Sequence, residues 1–297
     1  MCLYFLLPCA IINKNAKKEQ LKGSGGPLQD KVQMKIGVIS DIHLYRKTER
    51  FVCALNAFKA VDVLLIAGDI ADRAQKEQYE LAYRCIKDHL GAVPVYCVSG
   101  NHDNPARDDA DYREFEAKIN PEAAYIQDDS GAFYRQLSQD MDLMGLNPVY
   151  HQKQFFFTDK GKQLDFLKGK LEKSAARCHI VLCHPPLIAH NPQRKPGMAP
   201  YIVREQNDRL QSILDDNRNV IFISGHTHVH PTVEWEEERR NLYINDGSIC
   251  PTSAAGKEDR LQQGNVTLLN IEEGTASVLI QGIHTGNVFF SESYALK

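Results

Sequence analysis

The sequence has no Cys-x-x-Cys pair, no apolar run of about 20 residues, no repeat, no low-complexity tract and no strong charge of either sign. Each absence removes a class of function. Eight cysteines are scattered (Cys2, Cys9, Cys53, Cys85, Cys97, Cys178, Cys183 and Cys250), several inside apolar runs such as VPVYCVSG and CHIVLCHP. That is the pattern of buried free thiols, not of a disulfide framework or a cysteine-zinc site, and it points to a cytoplasmic protein. The apolar stretch 2–12 is too short to span a bilayer and has none of the preceding basic residues of a signal peptide. A formal net charge of −3 leaves no overall electrostatic footprint for nucleic acid.

What is present is an ordinary apolar fraction of 43%, enough for a packed core, with no linker dividing the chain. Met34 opens the segment MKIGVISDIHL, which reads as the start of a first strand. Residues 1–33 are therefore expected to be an extension, disordered or foreign to the native chain, and 34–297 a single domain. From there apolar runs alternate with helical spacing. Strands are expected at 35–40, 62–67 and 93–99, and helices at 49–60 and 75–90; these are βαβ units with parallel strands. Beyond them the spacing predicts helices at 109–119, 162–174 and 202–214. It predicts antiparallel strands at 132–137 and 141–146, further strands at 179–183, 220–224 and 242–245, and a hairpin from 265–271 and 276–283. Many short strands, partly alternating late in the chain, suggest two packed α/β sheets and not one doubly wound sheet.

The polar residues gather where the buried strands end. The clusters are Asp41-Ile42-His43, Gly68-Asp69, Gly100-Asn101-His102-Asp103, His184-Pro185-Pro186 and Gly225-His226-Thr227-His228. Ligands of α/β sheets bind beyond the carboxyl ends of the strands, so these sequence-distant clusters are expected to converge. Asp41 and His43, two apart on an extended segment, would share one side of it. Each cluster alone is as well explained by a solvated turn. Together they would bury many ionisable groups, which is costly unless cations pair with them. Oxygen and nitrogen donors without thiolates suit Mn, Fe or Zn.

The order DxH, GD, GNHD, H, GHxH, running from Asp41 to His228, resembles the calcineurin-like metallophosphoesterases, and among them the class III cyclic-nucleotide phosphodiesterases. The resemblance implies a four-layer αββα sandwich of two mixed sheets with helices outside, around one centre of two divalent ions. It implies that Asp41, His43 and His228 hold one ion, that Asn101, His184 and His226 hold the other, and that Asp69 bridges them. His102 would face the substrate without binding metal, as general acid or charge stabiliser. A small phosphodiester or phosphomonoester would be cleaved by in-line attack of a metal-bound hydroxide.

Two readings of Asp72 stay open: it orients His102, or it caps a helix start. Arg73 resembles the phosphate-contacting arginine of protein Ser/Thr phosphatases, which share GDxxDR, but is read first as a solvated surface arginine. Asp103 is expected to turn from the ions and fix its loop. The segment 245–248 (NDGS) resembles a family segment beside the site, with a structural role. His190 and His230 are expected to be loop residues. A nuclease with this core would carry a basic strip, a phosphoprotein phosphatase would carry GNHE, and a non-catalytic metal-stabilised scaffold would have lost ligands. Substrate choice is assigned to loops 104–129 and 191–200; the sequence leaves an oligomer open.

Overall fold

The computed structural model describes residues 33–104, 109–119, 126–127, 131–192, 202–250 and 264–296. Its strands are β1 (Gln33–Ile39), β2 (Val63–Ala67), β3 (Val95–Val98), β4 (Ile126–Gln127), β5 (Phe133–Ser138), β6 (Met141–Leu146), β7 (Val149–His151), β8 (Gln154–Phe156), β9 (Cys178–Cys183), β10 (Val220–Ser224), β11 (Thr232–Glu236), β12 (Asn241–Asn245), β13 (Asn265–Glu272), β14 (Thr275–Gly282) and β15 (Val288–Ala295). The helices are α1 (Glu49–Ala57), α2 (Lys76–Leu90), α3 (Ala110–Ile119), α4 (Lys162–Lys173) and α5 (Arg204–Asp215).

Two large mixed sheets form, in the orders β15-β14-β13-β1-β2-β3 and β11-β12-β10-β9-β6-β5-β4; β7 and β8 make a separate hairpin. The strands β1, β2 and β3 are mutually parallel, as are β6, β9, β10 and β12. Strand periodicity builds the layers. Ile36 and Val38 of β1, Leu65 of β2, Ile180 and Leu182 of β9 and Ile221 and Ile223 of β10 meet between the sheets. The alternate residues Ile39, Leu64 and Ile66 pack under α1 to α3, and Val181, Cys183 and Phe222 under α4 and α5. A strand buried on both faces reads as an unbroken apolar run, which is why these segments stood out in the sequence. The result is the four-layer αββα sandwich.

Five strands escape the sequence pattern: β4, β7, β8, β11 and β15. Every residue of β11 (TVEWE) is half-buried, and β15 (VFFSESYA) is an edge strand exposed along most of its length. The first strand begins at Gln33, one residue before the expected boundary; residues 1–32, with Cys2 and Cys9, lie outside those described, as do 105–108 and 193–201 within or beside the loops assigned to substrate choice. Five of the remaining cysteines are buried, Cys250 is half-buried, and all six are free thiols. Among the described residues no helix is long and apolar enough to cross a membrane.

Candidate metal centre

The loops that follow β1, β2, β3, β9 and β10 meet at one end of the sandwich, held by main-chain bonds that continue past the strands. Asp41 N donates to Gly68 O (3.0 Å), His43 N to Asp69 O (3.0 Å) and Gly225 N to His184 O (3.0 Å). Spacing along an extended strand does not align the paired side chains. β1 stops at Ile39, and Asp41, His43, Asp69, His226 and His228 all have left-handed backbones, with φ of 53°, 45°, 53°, 72° and 51°. Asp41 and His43 converge because the chain curls between them. Left-handed non-glycine residues cost energy and persist where surrounding contacts over-determine them, as at ligand-binding sites.

Two glycines make the convergence possible. A Cβ on Gly68 (φ 89°) would lie 2.4 Å from Nδ1 of His184, and one on Gly100 would lie 2.1 Å from Oδ1 of Asp69. Any side chain at either position would push two clusters apart.

Each buried carboxylate is split between two tasks. Asp41 Oδ2 accepts from His226 N (2.9 Å), which turns Oδ1 toward His228 Nε2 at 3.1 Å and His43 Nε2 at 3.9 Å. Asp69 Oδ1 accepts from His102 N (2.8 Å), which leaves Oδ2 between His43 Nε2 at 3.6 Å and His184 Nε2 at 3.4 Å. Around this shared oxygen lie two groups of donors. His43 Nε2 and His228 Nε2 are 3.0 Å apart beside Asp41; His184 Nε2 lies 3.2 Å from His226 Nδ1 and 3.3 Å from Asn101 Oδ1. Ring nitrogens that face one another beside carboxylate oxygens are the arrangement expected when lone pairs point at a common cation. The donor set of imidazole, carboxylate and amide oxygen therefore fits divalent ions, with Asp41, His43, Asp69 and His228 forming one group, Asp69, His184 and His226 another, and His43, Asp72 and His102 a third that shares His43 with the first.

The imidazoles are oriented from behind. His184 Nδ1 donates to Ala67 O (2.7 Å), so in the neutral ring Nε2 carries the lone pair. Ser248 Oγ lies 3.4 Å from His228 Nδ1 and also reaches Asp41 O (3.4 Å). Asn245 binds Gly225 O and Thr227 Oγ1, bracing the loop that carries His226 and His228. Phe155 of β8 lies against both His184 and His226, with centroids at 5.9 and 5.1 Å, and His226 Nε2 is buried with no hydrogen-bond partner.

Charge is balanced by protons when no ion is present. Burial pulls His184 down, but the carboxylate of Asp69 more than reverses this and raises it to about 9. Burial and the charge of His184 lower His226 to about 3. In the other group burial lowers His43, while for His228 the carboxylate of Asp41 overcomes burial and raises it. Burial would raise Asp41, yet the charge of His228 and its hydrogen bond hold it at about 2; Asp69 is likewise held low, against burial, by His184. Each group thus pairs an imidazole whose pKa is raised with one whose pKa is lowered.

The outer residues take specific positions. His102 packs edge-on against His43, with centroids 4.5 Å apart, and its Nδ1 donates to the main-chain oxygen of Asp72 (2.7 Å). The Asp72 carboxylate instead lies 3.9 Å from His43 Nδ1 and 3.3 Å from Arg73 Nε. The helix-cap alternative for Asp72 does not hold, since α2 starts at Lys76 behind a capping box of Gln75 and Gln78. Arg73 is largely exposed. The Asp103 carboxylate accepts from Ile70 N, Ala71 N, Gly100 N and Tyr79 Oη, lacing the loops after β2 and β3 together. Burial and the charge of Asp69 push it up to about 6, against those donors. His190 stacks on Tyr243 and binds Glu234, and His230 packs against Phe289; neither enters either donor group.

Phe155 and Ser248 do not stand out individually in the sequence. Phe155 belongs to no polar cluster, and nothing in the NDGS segment indicates that Ser248 faces His228.

A family model described as calcineurin-like phosphoesterase matches residues 34–230. A Fibrobacter succinogenes protein described as a probable cyclic nucleotide phosphodiesterase is 26% identical over 235 residues, covering 72% of this chain and 80% of that protein. Among solved structures, the purple acid phosphatase PPD1 of yellow lupin superposes with a TM-score of 0.60 at 12% identity, over 91% of this chain and 55% of its own. GAP50, described as the anchor in the inner membrane complex of Plasmodium, gives 0.55 at 14% identity over 90% of both chains. At such identities the structural likenesses establish the fold alone.

Proposed function

Because the chain belongs to the calcineurin-like phosphoesterase family, whose members are metal-dependent phosphoric ester hydrolases, we propose that it cleaves phosphodiesters of the cyclic-nucleotide kind at a centre of two divalent ions. In this reading Asp41, His43 and His228 hold one ion and Asn101, His184 and His226 the other, with Mn, Fe or Zn as occupants. The observation that carries it is the oxygen Asp69 Oδ2, 3.6 Å from a nitrogen of one group and 3.4 Å from a nitrogen of the other, as a bridging ligand requires.

When bound, the two ions would offset the charge of the ester and make hydroxide available near neutral pH. The residues supply the rest. Asp69 sets the spacing of the two groups. Ala67 and Ser248 hold His184 and His228 with Nε2 turned inward. His102 is anchored through Nδ1, so its Nε2 is the atom that would hold or pass a proton to the leaving oxygen; to donate, the ring must carry both protons.

The cyclic-nucleotide assignment is supported by the F. succinogenes relative and by the GNHD sequence at 100–103. A cytoplasmic location is proposed with it, from the buried free thiols. The test is a hydrolysis screen of Mn²⁺-loaded protein against cyclic nucleotides, nitrophenyl diesters and monoesters, and DNA, alongside metal analysis. Diester cleavage abolished by chelation is expected. Preference for monoesters or for DNA would replace the substrate assignment. Full activity after complete chelation would end the metal-centred reading.

A further inference from the structure

Among the described residues, three large apolar or aromatic side chains are markedly exposed: Tyr45, Val288 and Phe289. Tyr45 lies two residues past His43 in the chain and is 41% exposed. Its exposure is not the result of a loose loop. The neighbouring Ile42 and Leu44 are buried, Leu44 N donates to Ile70 O (2.9 Å), and Asp72 N donates to Leu44 O (3.3 Å). The ring is projected outward from a turn pinned on both sides.

Two guanidinium groups sit against it, with Cζ of Arg46 and Arg73 at 4.9 and 5.0 Å from the ring centroid. Such contacts favour the cation and hold its plane in place. Arg73 is paired with Asp72, whose carboxylate approaches His43, so a continuous chain of contacts links the phenol ring to the donor group of Asp41, His43 and His228. The charge of Arg73 is offset by Asp72, whereas Arg46 makes no ion pair among the described residues. With both guanidinium groups against it the ring still keeps 41% exposure, so the edge of the site beside His43 offers aromatic surface together with the unpaired charge of Arg46. Planar, electron-rich rings on a phosphate ester are what such surfaces hold, because nucleic-acid bases stack on both aromatic and guanidinium planes.

We propose that Tyr45, flanked by Arg46 and Arg73, is the stacking shelf for the base of a nucleotide ester whose phosphate lies at the ion centre. The inference rests on the phosphodiester reading above and assigns its specificity to a side chain that binds no ion and takes no part in bond cleavage.

The experiment is chosen to speak even if that reading fails. Binding of adenosine 5′-monophosphate and of ribose 5-phosphate to the Mn²⁺-loaded full chain is measured by calorimetry for wild type, Tyr45→Ala and Tyr45→Phe. Wild type should prefer the nucleotide by about tenfold, near the low end of what one base–aromatic stack supplies. Tyr45→Ala should lose most of that preference with ribose 5-phosphate binding unchanged, and Tyr45→Phe should keep it. In turnover of a cyclic nucleotide, Tyr45→Ala should raise KM with kcat retained. A preference that survives Tyr45→Ala, or that wild type lacks, would overturn the shelf, as would its loss in Tyr45→Phe, since the plane of the ring would then not be what binds. Failure of wild type to cleave any diester would remove the proposed reaction and leave the binding comparison standing.

Discussion

The two halves of the candidate centre are built alike from outside and differently from behind. The half made by Asp41, His43 and His228 keeps contact with solvent: the side chains of His43 and His228 are 13% and 29% exposed, and their rear nitrogens face a carboxylate and a hydroxyl, Asp72 and Ser248. In the other half, His184 is completely buried, tied to a main-chain carbonyl and flanked by Phe155, while His226, also against Phe155, and Asn101 are half-buried. An imidazole held by backbone and ring contact has little room to turn, while one held by a side-chain hydroxyl shares its partner with water. The proposal that follows is an ion held firmly on the buried side and a more exchangeable ion on the open side, where substrate also arrives.

The largest effect should come from the one residue common to both. Asp69→Ala removes a ligand from each half and the negative charge between two cations, so both ions should be lost together and activity with them. Metal analysis of the purified variant decides this; a full complement of two ions would refute the bridging role and make the two halves independent.

His102 tests the open half without replacing one of its proposed ligands, although its ring packs against His43. General acid catalysis contributes about 10²–10⁴-fold, and most where the leaving oxygen is strongly basic. His102→Ala should therefore lose on that order with a ribose ester and much less with a nitrophenyl ester, at unchanged metal content. Equal loss on both esters would make His102 a charge stabiliser; loss of metal would place it among the ligands.

Asn101→Ala should weaken the buried half alone. One ion should be retained, the open one, so that the order of chelation expected of wild type is reversed. Loss of both ions from Asn101→Ala would erase the distinction between the halves.

Much of this contrast lies below what the sequence displays. The five loops were legible because each follows a buried strand whose apolar run is unmistakable, as in DVLLIAGD and NVIFISGH, and because parallel strands deliver their carboxyl ends to one side. The convergence of these clusters was therefore legible from residue type and position. Their backbone conformations were not, since nothing in Asp41 or His228 as residue types announces a left-handed φ. Phe155 belongs to a strand of three residues and meets His226 only through tertiary packing. Asp72 was expected to orient His102 or to cap a helix start; the contact with His102 is made through the main-chain oxygen of Asp72, which no residue type predicts.

Protonation offers a smaller, graded effect. His184 is raised from 6.5 to about 9 in the ion-free fold by Asp69, which outweighs burial. A raised pKa stabilises the fold fully below the unfolded value and ceases to do so as pH climbs through the folded one. Chelated protein should accordingly lose thermal stability between pH 6.5 and about 9, by a few degrees in the melting midpoint. Loaded protein should not show this decline, because an ion replaces the proton on His184, and loading near pH 7.5 should release on the order of one proton from this half. A chelated protein whose melting midpoint is flat or rising across that window would contradict the pairing of His184 with Asp69.

Ser248→Ala should give the smallest change, and it tests the open half most directly. Ser248 Oγ is 3.4 Å from His228 Nδ1, at the long limit of a hydrogen bond, and it also approaches Asp41 O and accepts from Cys250 N at 2.8 Å. Partners behind a metal-bound imidazole typically govern affinity by about 10–100-fold, and a contact this long belongs at or below the low end. The variant should thus bind the open ion less tightly by about tenfold or less, with the buried ion unaffected and KM for metal, not kcat at saturating metal, carrying the change. Competition with a fluorescent chelator separates the two affinities. A larger fall on the buried side would mean that the hydroxyl acts by holding the loop at Asp41 and Cys250, a support shared by both halves, and the contrast between them would have to be drawn at Phe155 instead.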